Sequence, residues 1–212
     1  MNRDTGAGSR QAYGKAAEMM QEYDSGTGPQ QASSAYSAAA RHMHWVTAGA
    51  ILIMVPLGLA MTYRGGTLNI WDGLTDALYS SHKLLGFLVL WLVAGRLTYR
   101  LLRGAPPDEP TLLWWHKAGS HLLHWLLYGL LLVVPVLGWV GVSLYPSLTV
   151  FGLFDLPALA RPNQDLATSV LTVHGKLAIV MALLACAHAG AALYHHLIRR
   201  DGVLRRMLPG LR

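Results

Sequence analysis

Four long apolar runs dominate the pattern of hydrophobic and polar positions. They cover about His44–Tyr63, Leu78–Leu102, His121–Val142 and Thr168–Ile198. Each is long enough to cross about 30 Å of hydrocarbon at roughly 1.5 Å of helical rise per residue. Three end in positive charge with glycine: Arg64-Gly65-Gly66, Arg103-Gly104 and Arg199-Arg200-Asp201-Gly202. Pro56 and Pro135 lie inside runs one and three. Membrane helices tolerate such prolines where neighbours satisfy the freed carbonyls. The expected fold is all-α: an integral membrane four-helix bundle.

Residues 1–40 break the pattern. They are rich in Gly, Ser, Gln and Ala with mixed charges, and no positive stretch leads directly into an apolar core. They read as a polar, mostly disordered tail and not as a secretory signal. Within it, Gln11–Tyr23 is a candidate short helix. The membrane domain is expected over 41–212. The connection Ser143–Ala167 is not simply polar, because it carries Val150-Phe151-Gly152-Leu153-Phe154 and Leu156-Pro157. It reads either as a lid over the bundle or as an anchor in the interface.

Composition agrees with lipid solvation. The 212 residues are 53% hydrophobic and 13% charged, where a soluble domain carries about a quarter charged residues. A charge at the bilayer centre costs roughly 2.5–3.5 kcal/mol on insertion scales. The net charge of +6 flanks the apolar runs instead of forming a basic stripe, which excludes nucleic acid as the partner. Thirteen of the seventeen Lys and Arg residues fall in the tail, the second connection and the C-terminal segment. Only Arg64, Lys83, Arg161 and Lys176 lie on the other side. Both termini are therefore expected in the cytoplasm. The single cysteine, Cys186, excludes a disulfide framework and reads as a small buried packing residue.

Most of the ten histidines lie in or beside the apolar runs. An ionisable group there is a functional candidate by default. His174 and His188 are fourteen residues apart in the fourth run. Fourteen steps of about 100° fall about 40° short of four turns, so both project from nearly one face about 21 Å apart along the axis. That separation suits two cofactors, not one shared metal. His44 enters the first run at the cytoplasmic depth of His188, and His82 enters the second at the outer depth of His174. Low-spin haem b takes two imidazoles on opposite faces of a planar macrocycle, a set that facing bundle helices supply. The expectation is two haem b groups with axial pairs His44/His188 and His82/His174. Gly86, Gly175 and the small residues around His188 leave room for the macrocycle. Arg96, fourteen residues after His82, is expected to reach the inner headgroups. His42, His195 and His196 read as solvated headgroup neighbours, and His116 as part of an aromatic belt. His121 and His124 stay open: either could bond a haem propionate or replace His44.

The chain resembles the bacterial cytochrome b561 family of the inner membrane, which includes superoxide oxidases. The resemblance covers about residues 42–209 and rests on pieces spread over all four runs. They are His44-Trp45, His82-Lys83-Leu84-Leu85-Gly86, His121-Leu122-Leu123-His124 with Tyr128, Val150 through Pro157, His174-Gly175-Lys176-Leu177, and His195-His196 through Asp201, Leu204, Arg206 and Met207. It implies two b haems on His44, His188, His82 and His174, with ubiquinone as an electron partner. The implied activity is superoxide:ubiquinone oxidoreduction. Lys83 and Lys176, each beside an outer ligand, read either as attracting superoxide or contacting propionate or quinone, or as snorkelling to the outer headgroups. Two alternatives remain. One is a cytochrome b subunit relaying electrons for a dehydrogenase or hydrogenase partner protein. The other is a histidine-lined metal transporter, which the scarcity of acidic residues in the runs disfavours.

Overall fold

The computed structural model describes residues 14–15, 35–109 and 112–210. Most of the polar tail lies outside the described residues; of the candidate helix Gln11–Tyr23, only Gly14 and Lys15 are described, and both are helical. The compact unit Ala35–Arg212 carries everything that follows.

Four helices span the sequence-predicted runs: α1 Ala38–Met61, α2 Gly73–Arg103, α3 Trp114–Leu144 and α4 Gln164–Tyr194. Each holds an 18-residue window of mean hydropathy between 1.5 and 2.1. Short π-helical turns, Thr62–Thr67 and His195–Arg199, prolong α1 and α4. All four helices begin earlier than the apolar runs, and at α1, α2 and α4 a polar cap sets the start. Ser37 Oγ accepts from the Ala40 amide at 3.2 Å, an Asp72 carboxylate oxygen from Thr75 at 2.9 Å, and Asn163 Oδ1 from Leu166 at 3.1 Å. Such caps satisfy amides that the first helical turn leaves free. The compact unit thus starts a few residues before position 41.

The chain alternates direction, so both ends of the unit meet. The Tyr36 amide donates to the Arg206 carbonyl at 3.3 Å, and Trp45 Nε1–H to the Met207 carbonyl at 3.2 Å. This is the termini end. The bundle turns its apolar surface outward: Leu52, Leu102 and Trp114 are 77%, 79% and 80% exposed. In water that surface would be costly; in hydrocarbon it is the matched face. Cys186 is also exposed on α4, contrary to the expectation of a buried residue. Lipid solvates a small thiol as well as protein does. Between α3 and α4, a Cβ on Gly141 would collide with Leu171. A small residue here lets the two helices close together.

The opposite, hairpin end is closed by the Ser143–Ala167 connection. Among the described residues it is the one departure from all-α structure. Strands β1 Thr149–Val150 and β2 Phe154–Asp155 pair antiparallel. Their turn has Phe151 and Gly152 at φ 53° and 70°, closed by Leu153 N–H to the Val150 carbonyl at 3.0 Å. Two central residues at positive φ make a type I′ turn, which suits the twist of a hairpin. Val150 and Leu156 are buried, while Leu153 is exposed. The segment therefore closes this end of the bundle while turning Leu153 outward. Gly152→Val should strain this turn by about 1 kcal/mol or more. It should lower Tm and speed exchange of the Phe151 amide, which donates to Ser80 Oγ at 3.0 Å.

Candidate functional site

Two histidine pairs face each other inside the bundle. At the termini end, His44 of α1 and His188 of α4 have ring centroids 6.2 Å apart, with planes at 78°. Towards the hairpin end, His82 of α2 and His174 of α4 are 6.1 Å apart, with planes at 90°. An imidazole nitrogen binds a transition metal at about 2 Å and its ring centroid lies about 1 Å further back, so rings on opposite faces of one metal stand about 6 Å apart. Both gaps fit that arrangement. His124 also faces His188, but at 5.1 Å, about 1 Å too close for opposite axial positions. It lies 3.3 Å from Ser120 Oγ. His121 meets Asp108 at 3.2 Å on the exposed surface.

Second contacts decide which nitrogen is free. His174 Nδ1 is 2.8 Å from the Val134 carbonyl. A carbonyl only accepts, so Nδ1 carries the proton and Nε2 keeps its lone pair. That is the usual outer contact of a metal-binding histidine. Among the described residues His82 Nδ1 is buried without a hydrogen-bond partner. At His44 the contact is different: Arg96 Nη2 lies 3.0 Å from Nδ1. Arg96 thus turns into the bundle instead of reaching the headgroups as expected. Its guanidinium also sits over the Tyr128 ring, 5.2 Å from the centroid.

Glycines give the hairpin-end pair its space. A Cβ on Gly58 of α1 would stand 3.0 Å from His82 Cε1, and one on Gly138 of α3 would stand 3.0 Å from His174 Cε1. Both line a cavity of about 1140 Å³, together with Gly86, Gly175 and the two histidines. Its volume exceeds the roughly 300–1,000 Å³ common for small-molecule pockets, so a tetrapyrrole is not too large for it. Sequence reasoning had singled out Gly86 and Gly175 but missed Gly58 and Gly138. No local signal marks them, since they lie on other helices.

The two lysines differ. Lys83 Nζ donates to the carbonyls of Ser147, at 3.1 Å, and Thr149, tying the hairpin to α2. Lys176 is exposed on α4. At the termini end, His195 is not a solvated headgroup neighbour as expected. Its Nδ1 lies 2.5 Å from Asp201 Oδ2, with side-chain exposures of 13% and 6%. Its ring faces His116 with centroids 6.0 Å apart. The π-helical turn and the left-handed Arg200, at φ 53°, fold Asp201 back onto it. Only that turn brings the two together.

The sequence profile of the family described as prokaryotic cytochrome b561 matches residues 35–210. The chain belongs to that family. It is similar to cytochrome b561 homolog 1 of Escherichia coli (strain K12), with 28% identity over 178 residues, 82% of this chain and 97% of the relative. Cytochrome b561 homolog 2 of the same organism is 29% identical over 174 residues, 82% of this chain and 90% of the relative. The probable superoxide oxidase CybB of Yersinia pestis is 28% identical over 177 residues, with 82% and 96% covered. The chain is accordingly a multi-pass membrane protein of electron transfer, of a family that binds b-type haem.

Proposed function

We propose that the chain holds two b-type haems, one between His44 and His188 and one between His82 and His174, and reduces ubiquinone with electrons from superoxide. The observation that carries this reading is the pair of 6 Å gaps between imidazoles at two depths of α4. Bound haem b would supply a one-electron carrier at each depth, held by the imidazoles of His44 and His188 or of His82 and His174. The His174 bond to Val134 orients its ring and leaves Nε2 bare, while Gly58 and Gly138 keep the neighbouring helices clear of the rings. His124 lies beside the His188 ring as a contact for the edge of the group, not as a ligand.

Two superoxide anions would each give one electron and leave as dioxygen. One ubiquinone would take both electrons and two protons to become the quinol. The arginine distribution supports the hairpin end facing outward and both termini in the cytoplasm of a bacterial inner membrane. Lys176 is the cation for steering superoxide, because it is exposed while Lys83 is engaged by the hairpin carbonyls.

Purified protein should be red, with a dithionite-reduced spectrum of b haem, about two haems per chain, and superoxide-driven reduction of a ubiquinone analogue. Lys176→Gln should slow the superoxide reaction several-fold at low salt and match the parent at high salt, because the Debye length falls from about 10 Å at 0.1 M to about 3 Å at 1 M. Pigment without quinone reduction by any small donor would replace this reading with a relay subunit. A colourless folded protein would favour the metal transporter. Against the transporter, no group of three or more His, Cys, Asp or Glu among the described residues is placed to hold a metal ion.

A further inference from the structure

Arg96 is a cation inside a membrane-spanning helix, and among the described residues it has no anionic partner. Its guanidinium lies 3.0 Å from His44 Nδ1 and over the Tyr128 ring, and it hydrogen-bonds the neutral Tyr128 side chain. Among the described residues its other electrostatic neighbours are Tyr36 and Arg100. None of these groups is negative at neutral pH. A charge within a span is rare and costly, and is kept where it has a specific partner. The asymmetry between the two histidine pairs sharpens the point. His174 Nδ1 has a carbonyl against it, whereas His44 Nδ1 has a group that can only donate.

The contact fixes a tautomer. To accept from Arg96, His44 Nδ1 must be bare, and the neutral ring then carries its proton on Nε2. Ligation of iron through Nε2 needs the reverse: the proton on Nδ1 and the lone pair on Nε2. With Nδ1–H and a guanidinium face to face, donor would meet donor. The Tyr128 side chain can take one of the five guanidinium N–H groups but brings no charge, so Arg96 lacks an anionic acceptor whenever His44 is a ligand. Haem b carries two carboxylates at one edge, and planar carboxylate is the acceptor that the guanidinium fork fits best.

We propose that Arg96 is the carboxylate receptor of the termini-end site, taking a propionate of the group held between His44 and His188 and so leaving His44 Nδ1 free to bear its proton. The inference rests on the two-haem reading above. It gives the termini-end site a dedicated cation drawn from α2, a helix that supplies neither of that site's ligands.

The test uses the full-length haem-loaded protein. His174→Ala keeps only the termini-end haem and His188→Ala only the other, so each site can be followed alone. Adding Arg96→Gln to His174→Ala should speed haem loss to an excess of apomyoglobin at least tenfold, and Arg96→Lys should restore most of the retention. In the His188→Ala background Arg96→Gln should leave the loss rate unchanged. Arg96→Gln should also raise the proton affinity of the released carboxylate at least tenfold, moving the onset of pH dependence in that haem's midpoint potential upward by about one pH unit. Should Arg96→Gln not fold, the unmutated protein decides. With ¹³C-labelled haem carboxylates, its redox-difference infrared spectrum should show an ionised, ion-paired carboxylate at neutral pH. Unchanged loss rates and pH profiles, or no ion-paired carboxylate, would overturn the inference and leave the two-haem reading standing. A colourless parent protein would instead sink that reading, and this inference with it.

Discussion

Replacing His174 with alanine should remove about half of the b-haem absorbance and leave the rest unchanged. His188→Ala should do the same, and the double variant should be colourless. The two histidines stand fourteen residues apart on α4, about 21 Å by the helix rise, so each serves its own partner. Among the described residues, His174 faces His82 across a gap of metal size, and His188 faces His44 across another. Loss of one imidazole would leave the group held by a single histidine, and at the hairpin end the surrounding cavity offers largely apolar side chains in its place. His124 does not rescue His44→Ala, because its ring stands 5.1 Å from His188. Reduced difference spectra with a haem assay per chain measure the outcome. Full pigment and an unchanged spectrum in both single variants would refute the pairing.

Gly138→Val should mimic His174→Ala without touching a ligand. A Cβ on Gly138 would meet His174 Cε1 at 3.0 Å and Nδ1 at 3.2 Å. The ring would have to turn, and turning breaks the Nδ1–H bond to Val134 that holds its tautomer. Overpacking of this kind costs about 1–3 kcal/mol, or roughly 5- to 150-fold in an equilibrium constant. Haem at the hairpin end should fall about tenfold while the termini-end haem is retained. Gly129→Ala on the same helix is the control, since nothing stands within 4 Å of its added Cβ. Equal pigment in Gly138→Val and Gly129→Ala would show that the close approach does not govern the site.

How much of this was legible in the chain differs from residue to residue. The spans were, because hydrocarbon thickness sets helix length and the cost of charge sets where arginines stop. The caps that lengthen α2 and α4, Asp72 and Asn163, lie in polar stretches that hydropathy ignores. The fourteen-residue step from His174 to His188 was also legible, since rise and twist per residue are fixed properties of the helix. Arg96 was placed at the right depth but given the wrong direction. Depth follows from counting; direction depends on how α2 is rotated against α1. His195 was read as solvated because Asp201 looked like part of a charged terminus, and only the π-helical turn folds it back.

By itself the sequence determined the four membrane crossings, the asymmetry of charge between the two ends, and the heights of four histidines along the helices. Those depend on local rules: apolar length, the energetic cost of charge in lipid, and helix periodicity. The tertiary structure decided which imidazoles face each other across 6 Å and which glycines make way for them. It also decided which nitrogen of His174 holds a proton, and that Lys83 grips the hairpin. These depend on the rotation and approach of helices distant in sequence, and the packing of one helix on another is not written in either one alone.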